Sequence, residues 1–223
     1  MRGNRLPKLI TAAVLLAVCA SAAVAFPRFA RTTKASCATC HSNVAGGAAL
    51  TDVGKAFKAD TTKAPSTSVA GSDFVSSKKC RMCHINEYKS WLETPHAKAL
   101  DVLKTGDPKK IEEMAARAGV KLSGPASENQ VCLGCHVTGS QLTGGYPAAD
   151  SLTNVALGAV SCEGCHGPGS KHVAATDKAA KKTLINGQVS EAMCRSCHTP
   201  SMSPAFDFAK YKAKGLHAVK TAG

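Results

Sequence analysis

The stretch KKCRMCHINEYKSWLETPHAKAL, residues 78–100, carries Cys80-Arg81-Met82-Cys83-His84 near its start. Two thiols at this spacing can each add to one vinyl group of the same porphyrin. The adjacent histidine then reaches the iron from one face. Outward from this stretch the pattern Cys-x-x-Cys-His recurs. It stands at Cys37 to His41, Cys132 to His136, Cys162 to His166 and Cys194 to His198. The expectation is a multihaem c-type cytochrome with five covalently bound haem c groups. The attachment pairs are Cys37 and Cys40, Cys80 and Cys83, Cys132 and Cys135, Cys162 and Cys165, and Cys194 and Cys197. The proximal iron ligands are His41, His84, His136, His166 and His198. Such a chain moves electrons.

Two other chemistries use similar spacings. Zinc would require cysteines to pair across motifs as sets of four thiolates, or of three thiolates and one imidazole. Five histidines at one fixed offset would then have no reason to be there. A redox dithiol of the thioredoxin kind needs one such motif in a βαβ setting, and no strand pattern is visible. The motifs take ten of the eleven cysteines. The remaining one, Cys19, lies in the leader, so the cysteine count is not a disulfide framework.

Residues 1–25 read as a secretory signal. Arg2, Arg5 and Lys8 form a positive start, residues 9–18 are apolar, and Ala23-Val24-Ala25 is a small-residue cleavage site. The apolar run is short for a membrane span, and no later stretch is long enough to be one. The expected location of the mature chain is the periplasm, with the cell exterior or the membrane periphery as variants.

With the leader removed there is about one motif per 40 residues. Aromatics are few, with one tryptophan, three tyrosines and six phenylalanines. Such a chain cannot build a large core from side chains alone, so the macrocycles must supply much of the buried apolar surface. Folding is then expected to be coupled to haem attachment, as it is to metal binding in small zinc domains. The formal charge of +13 falls to +10 once the three positive residues of the leader go. Ten haem propionates would lower it further. Export, haem and the lack of any base-reading motif exclude a nucleic-acid partner. The lysines fit ordinary solubility or the steering of acidic redox partners.

The fold class expected is mainly α with extensive coil, a compact multihaem cytochrome c. Residues 26–72 form a monohaem N-terminal module and linker, and residues 73–223 hold the other four motifs. In the first module Leu50, Val53 and Phe57 have helical spacing, and residues 59–72 read as linker or loop. In the second, CRMCHINEYKSW reads as one helix. Thr94-Pro95 and Asp107-Pro108 are helix starts. Ile111, Met114, Ala115 and Ala118 share a face, and Gly119 stops that helix. Residues 167–170, GPGS, make a tight turn, and residues 174–194 are helical in parts.

Five of the eight histidines belong to motifs. Three remain, His96, His172 and His217, each a candidate distal ligand. Three spare histidines for five irons leave two irons without a second histidine. A histidine pair gives closed, low-potential iron suited to relay, an open position permits ligand binding, and methionine raises the potential.

The run at residues 78–100, CLGCHVTG followed by GGY, GAVSCEGCHGPGSKH and CRSCH together resemble the tetrahaem cytochrome c family of the electron acceptor of hydroxylamine oxidoreductase. The resemblance covers about residues 78–217 and leaves the N-terminal module outside. It implies four closely placed haems, three with two histidines and the second in sequence five-coordinate. Carried over by position, His172 would face His84, His96 would face His166, and His217 would face His198. The haem at Cys132 and Cys135 would keep only His136. For the haem of His41 the options are a methionine (Met82, Met114, Met193 or Met202, with Met202 a first guess), a histidine of a neighbouring subunit, or an open iron. Residues 42–79 contain no methionine.

The leading functional reading is an electron carrier between periplasmic or extracellular redox proteins. Its partners would be other cytochromes, a dehydrogenase or a membrane quinol-linked donor, and no catalytic residue is assigned. The alternative is an enzyme that reduces a small nitrogen or sulfur oxide at the haem of Cys132 and Cys135. Glu128, Asn129 and Gln130 precede that motif, but nothing marks them as its catalytic groups. A haem-stacking filament is a third reading, disfavoured by the shortage of histidines.

Overall fold

The computed structural model describes residues 29, 32–33, 35, 37–42, 48–63, 74–142, 144–214 and 217. The expected leader, the stretch 64–73 and the last six residues lie outside them. Among the described residues the chain is helical with much coil and has no β-sheet. A single antiparallel bridge joins His41 to Leu50.

The N-terminal segment closes on itself. The motif helix Cys37–Cys40 packs against the helix Asp52–Ala59. Thr51 joins the two. Its hydroxyl donates to the Thr39 carbonyl at 2.8 Å and accepts from the Gly54 N–H at 3.1 Å, capping the second helix. Only glycine fits at position 54, because a Cβ there would lie 1.9 Å from the Cys40 carbonyl oxygen. Phe57 is buried on this helix and meets Phe29 edge-on at 5.3 Å. Val53 of the expected apolar face points largely to solvent.

The longer part starts at Phe74. The expected single helix through CRMCHINEYKSW is broken. Ser77–Cys80 and Ile85–Leu92 are separate helices, and the motif turns at Arg81 to His84 between them. Thr94 precedes a 3₁₀ turn, Pro95–Lys98, that runs into the helix Ala99–Thr105. Its hydroxyl does not cap this turn and donates back to the Trp91 carbonyl. The helix Pro108–Arg117 is capped by Asp107, whose carboxylate accepts from the Lys109 N–H. It ends as expected. Gly119 has φ +71°, and Val120 and Gly119 donate to the carbonyls of Ala115 and Ala116, the paired bonds of a Schellman stop. Ala115 is buried on this helix, Ile111 and Met114 are half-buried, and Ala118 is exposed. Short helices follow at Gln130–His136, Ser151–Leu157, Cys162–His166, Ser170–Ala174, Lys178–Thr183, Glu191–Arg195 and Phe208–Lys214.

The apolar core is thin. Leu100, Leu133 and Val137 form its cluster, with Leu103 and Tyr146 against it. Of the eleven buried apolar residues among those described five are alanines, so side chains alone give the described chain little cohesion. Long-range polar contacts do much of the joining. Thr138, fully buried, donates to the Ala159 carbonyl at 2.7 Å and accepts from the Ser161 N–H at 2.9 Å. Trp91 donates through Nε1 to the Val160 carbonyl at 3.0 Å, and the Val160 N–H returns to the His96 carbonyl. These bonds converge on residues 159–161, just ahead of the motif at Cys162.

Candidate haem-binding sites

Each motif sits on or beside a short helix. Cys132 and Cys135 lie within Gln130–His136 and Cys162 and Cys165 within Cys162–His166, each helix ending on its motif histidine. Asn129, one of the polar residues ahead of CLGCH, is the cap of its helix and accepts from the N–H groups of Val131 and Cys132. The nine cysteines whose side chains are described, from Cys40 to Cys197, are all free thiols. No three His, Cys, Asp or Glu side chains converge as a zinc site would require among the described residues.

The histidines are oriented through Nδ1. His136 donates from this atom to the Ala99 carbonyl at 2.6 Å and His166 to the Asn186 carbonyl at 2.6 Å. His172 donates likewise to the Lys181 carbonyl at 2.8 Å, and His198 shares a hydrogen bond with the Ser203 hydroxyl at 3.0 Å. A proton held on Nδ1 leaves Nε2 as the free donor atom, which is how metal-binding imidazoles are commonly set. Phe206 stacks on the His198 ring at 4.5 Å, and Arg195 lies over Phe206. Burial pushes His96, His166 and His198 below the ordinary histidine range, favouring the neutral ring that binds metal.

Three pairs of rings face one another. His84 and His172 have centroids 6.4 Å apart, His96 and His198 5.9 Å, and His166 and His217 6.1 Å. An iron held by two imidazole nitrogens at the roughly 2 Å usual for metal–imidazole bonds sets centroids about 6 Å apart. The residues present therefore fit haem iron at three places. Each spare histidine meets a motif histidine.

The partners differ from expectation in two of the three pairs. His172 faces His84, but His96 faces His198 rather than His166, and His217 faces His166 rather than His198. The bond from Val160 holds the backbone of His96 beside the residues ahead of Cys162, and its ring reaches on to the last motif. Order along the chain carries no information about which ring crosses to which.

The motifs are also close to one another. The neighbouring Cys162 thiol, and then burial, push the Cys80 thiol far up. Burial pushes Cys165 up to about 12, with Cys194, Cys197 and Cys162 as smaller contributors. Three motifs of the longer part thus share one neighbourhood.

Sequence reading missed Glu163, inside the CEGCH motif and only 3 % exposed. One carboxylate oxygen accepts from Val75 at 3.0 Å and Gly169 at 2.7 Å, and the other from Ser76 at 2.8 Å. Burial raises its pKa against these three backbone donors. A charged residue between two attachment cysteines is ordinarily a surface group, and no local pattern signals otherwise.

Repeated attachment motifs, paired imidazoles and a helical frame without a sheet define a multihaem c-type cytochrome carrying covalently bound haem c. Residues 79–167 match the family "Cytochrome c554 and c-prime". Cytochrome c-554 of Nitrosomonas europaea is 35% identical over 143 residues, which are 58% of this chain and 59% of that protein. The chain thus spans less than two thirds of its relative's length. The solved structure of reduced cytochrome c554 from Nitrosomonas europaea aligns with a TM-score of 0.50 and 25% identity, over 66% of this chain and 84% of that one. The N-terminal motif lies ahead of the family segment. No helix among the described residues is long and apolar enough to cross a membrane.

Proposed function

We propose that the protein is a pentahaem electron relay of the periplasm, accepting electrons from one redox protein and delivering them to another. The observation that carries this reading is the set of three facing histidine pairs. Haem iron, when bound, supplies one-electron chemistry through its ferric and ferrous states. The chain's own residues hold position. Cys80 and Cys83, Cys132 and Cys135, Cys162 and Cys165, Cys194 and Cys197, and Cys37 and Cys40 would hold the five groups covalently. His84 with His172, His166 with His217, and His198 with His96 would close three irons. The carbonyls of Ala99, Asn186 and Lys181 fix ring tautomers and so keep each ring from turning. Closed, rigid ligand sets suit rapid outer-sphere exchange, because little has to move when an electron arrives.

His136 and His41 would each ligate an iron from one side only, with the sixth ligand at His41 left open between methionine, a second subunit and none. The partners in this reading are cytochromes and a dehydrogenase or quinol-linked donor with acidic faces, met by the basic surface. Electron paramagnetic resonance of the oxidised holoprotein tests the ligand sets. Three low-spin, bis-imidazole haems out of five are expected, and fewer than three would overturn them. The relay itself is tested by stopped-flow oxidation of the reduced protein by a second cytochrome, at a rate that falls with added salt. Steady-state reduction of nitrite, nitric oxide, hydroxylamine or sulfite, lost when Cys132 and Cys135 are removed, would instead make it an enzyme.

A further inference from the structure

Glu163 receives four hydrogen-bond contacts from three backbone N–H groups, and these groups belong to two separate pieces of chain. Val75 donates to both carboxylate oxygens, at 3.0 and 3.2 Å. Ser76 donates at 2.8 Å and Gly169 at 2.7 Å. Ser76 precedes the helix Ser77–Cys80, and its carbonyl accepts from Lys79 and Cys80. The Cys80 carbonyl in turn accepts from the His84 N–H at 3.0 Å. Gly169 precedes the helix Ser170–Ala174, and its carbonyl accepts from Val173, next to His172. Two short helices, far apart in sequence, therefore start on one carboxylate. One leads to His84 and the other carries His172, the rings that face at 6.4 Å.

The arrangement is built for a carboxylate. A side chain at Gly169 would meet Glu163 Oε1 at 3.1 Å, so the loop is closed down on this group. Ser76 adopts φ +74°, a conformation L residues seldom take, with its N–H aimed at the acid. Three donors to one buried acid are more than a local turn requires, and a bond spanning 88 residues is a tertiary tie. Glu163 also stands between Cys162 and Cys165.

We infer that Glu163 is a positioning residue for the neighbouring haem site. From within the CEGCH motif it sets the separation of His84 and His172, and with it the ligation of the group attached at Cys80 and Cys83. It touches neither ring and acts through the two helix starts. The inference rests on the proposed assignment of His84 and His172 as an axial pair.

The test uses the matured holoprotein in three variants, Glu163→Ala, Glu163→Gln and His172→Ala. Haem content by intact mass and electron paramagnetic resonance of the oxidised state are measured on each. In Glu163→Ala the haem count is expected to stay at the parent value while one low-spin signal is lost to a high-spin one. The signal lost is the one lost in His172→Ala, and combining the two substitutions removes no second signal. Glu163→Gln, which keeps one acceptor oxygen and the shape, retains that low-spin signal, and the potential of that haem rises because a buried negative charge is gone. An unchanged Glu163→Ala spectrum overturns the inference, as does loss of several low-spin signals at once or loss of a signal other than that of His172→Ala. If Glu163→Ala fails to mature, Glu163→Gln decides, and an unshifted potential at that haem counts against the role. If His172→Ala itself leaves every signal in place, the axial assignment has failed, which is distinguishable from failure of the role given to Glu163.

Discussion

The two ends of the molecule solve the same problem in opposite ways. Near the N-terminus the motif and its cover are neighbours in sequence. Thr51 reaches Thr39, Leu50 bridges His41, and Gly54 lies against Cys40. In the longer part several of the ties that join segments are remote. Val75 reaches Glu163 across 88 residues, Trp91 reaches Val160 across 69, and Thr138 meets Ser161 across 23. A locally closed site costs little loop entropy and can form by itself. A site whose ligands come from distant segments orders only when the whole part does. The expectation from this difference is that the N-terminal attachment site can be lost at little cost to the rest, whereas the others stand or fall together.

Removing attachment cysteines should expose this contrast most strongly. Cys37→Ala with Cys40→Ala is expected to lower the mass of the holoprotein by one haem and leave the remaining haem spectra unchanged. Cys80→Ala with Cys83→Ala should disturb all the haem signals of the longer part and make it sensitive to protease. Equal disturbance by the two double variants would break the comparison.

Exchanging single ligands sharpens it. His96→Ala and His217→Ala should each convert one low-spin haem to high-spin, and not the same one. The first is expected to act at Cys194 and Cys197, the second at Cys162 and Cys165. If both variants lost the same resonance, the pairing read from the ring distances would be wrong.

Packing comes next in size. Phe57→Ala removes a buried ring, and truncations of this kind cost about 3–5 kcal/mol. The loss should appear in denaturant titrations followed at the His41 haem, with the other haems unfolding at their original midpoint. A common shift of all signals would show that the two parts unfold together.

The smallest effect is that of a single remote bond. Trp91→Phe keeps most of the ring and deletes the donor to the Val160 carbonyl, for a loss of about 1 kcal/mol. It should register in the stability of the longer part alone, and a shift confined to the N-terminal haem would contradict the assignment.

Much of the site was legible because covalent chemistry demands fixed spacing. The five motifs, their proximal histidines and the three spare histidines could be counted directly. So could caps and stops whose chemistry is local, such as Asp107 before Pro108 and Gly119 after Arg117. The break within CRMCHINEYKSW was not visible, because both halves have good helical composition and the turn at Arg81 to His84 is imposed by where the motif must sit. Thr94 has the residue type of a cap, yet its hydroxyl finds the Trp91 carbonyl instead. Asn129 reads in the sequence as a polar neighbour of a motif, and in the fold it caps that motif's helix.

The sequence alone carried the five attachment motifs, the helical class and the imbalance between histidines and motifs, since each depends on residue type and short-range spacing. The tertiary structure decided which rings meet. The rings of His96 and His198 lie 5.9 Å apart and those of His217 and His166 6.1 Å apart, pairings made between segments far apart in sequence. The tertiary structure also decided that Glu163 is buried. Three N–H groups from two remote segments surround that carboxylate, and a convergence of distant backbone donors has no counterpart in the local order of side chains.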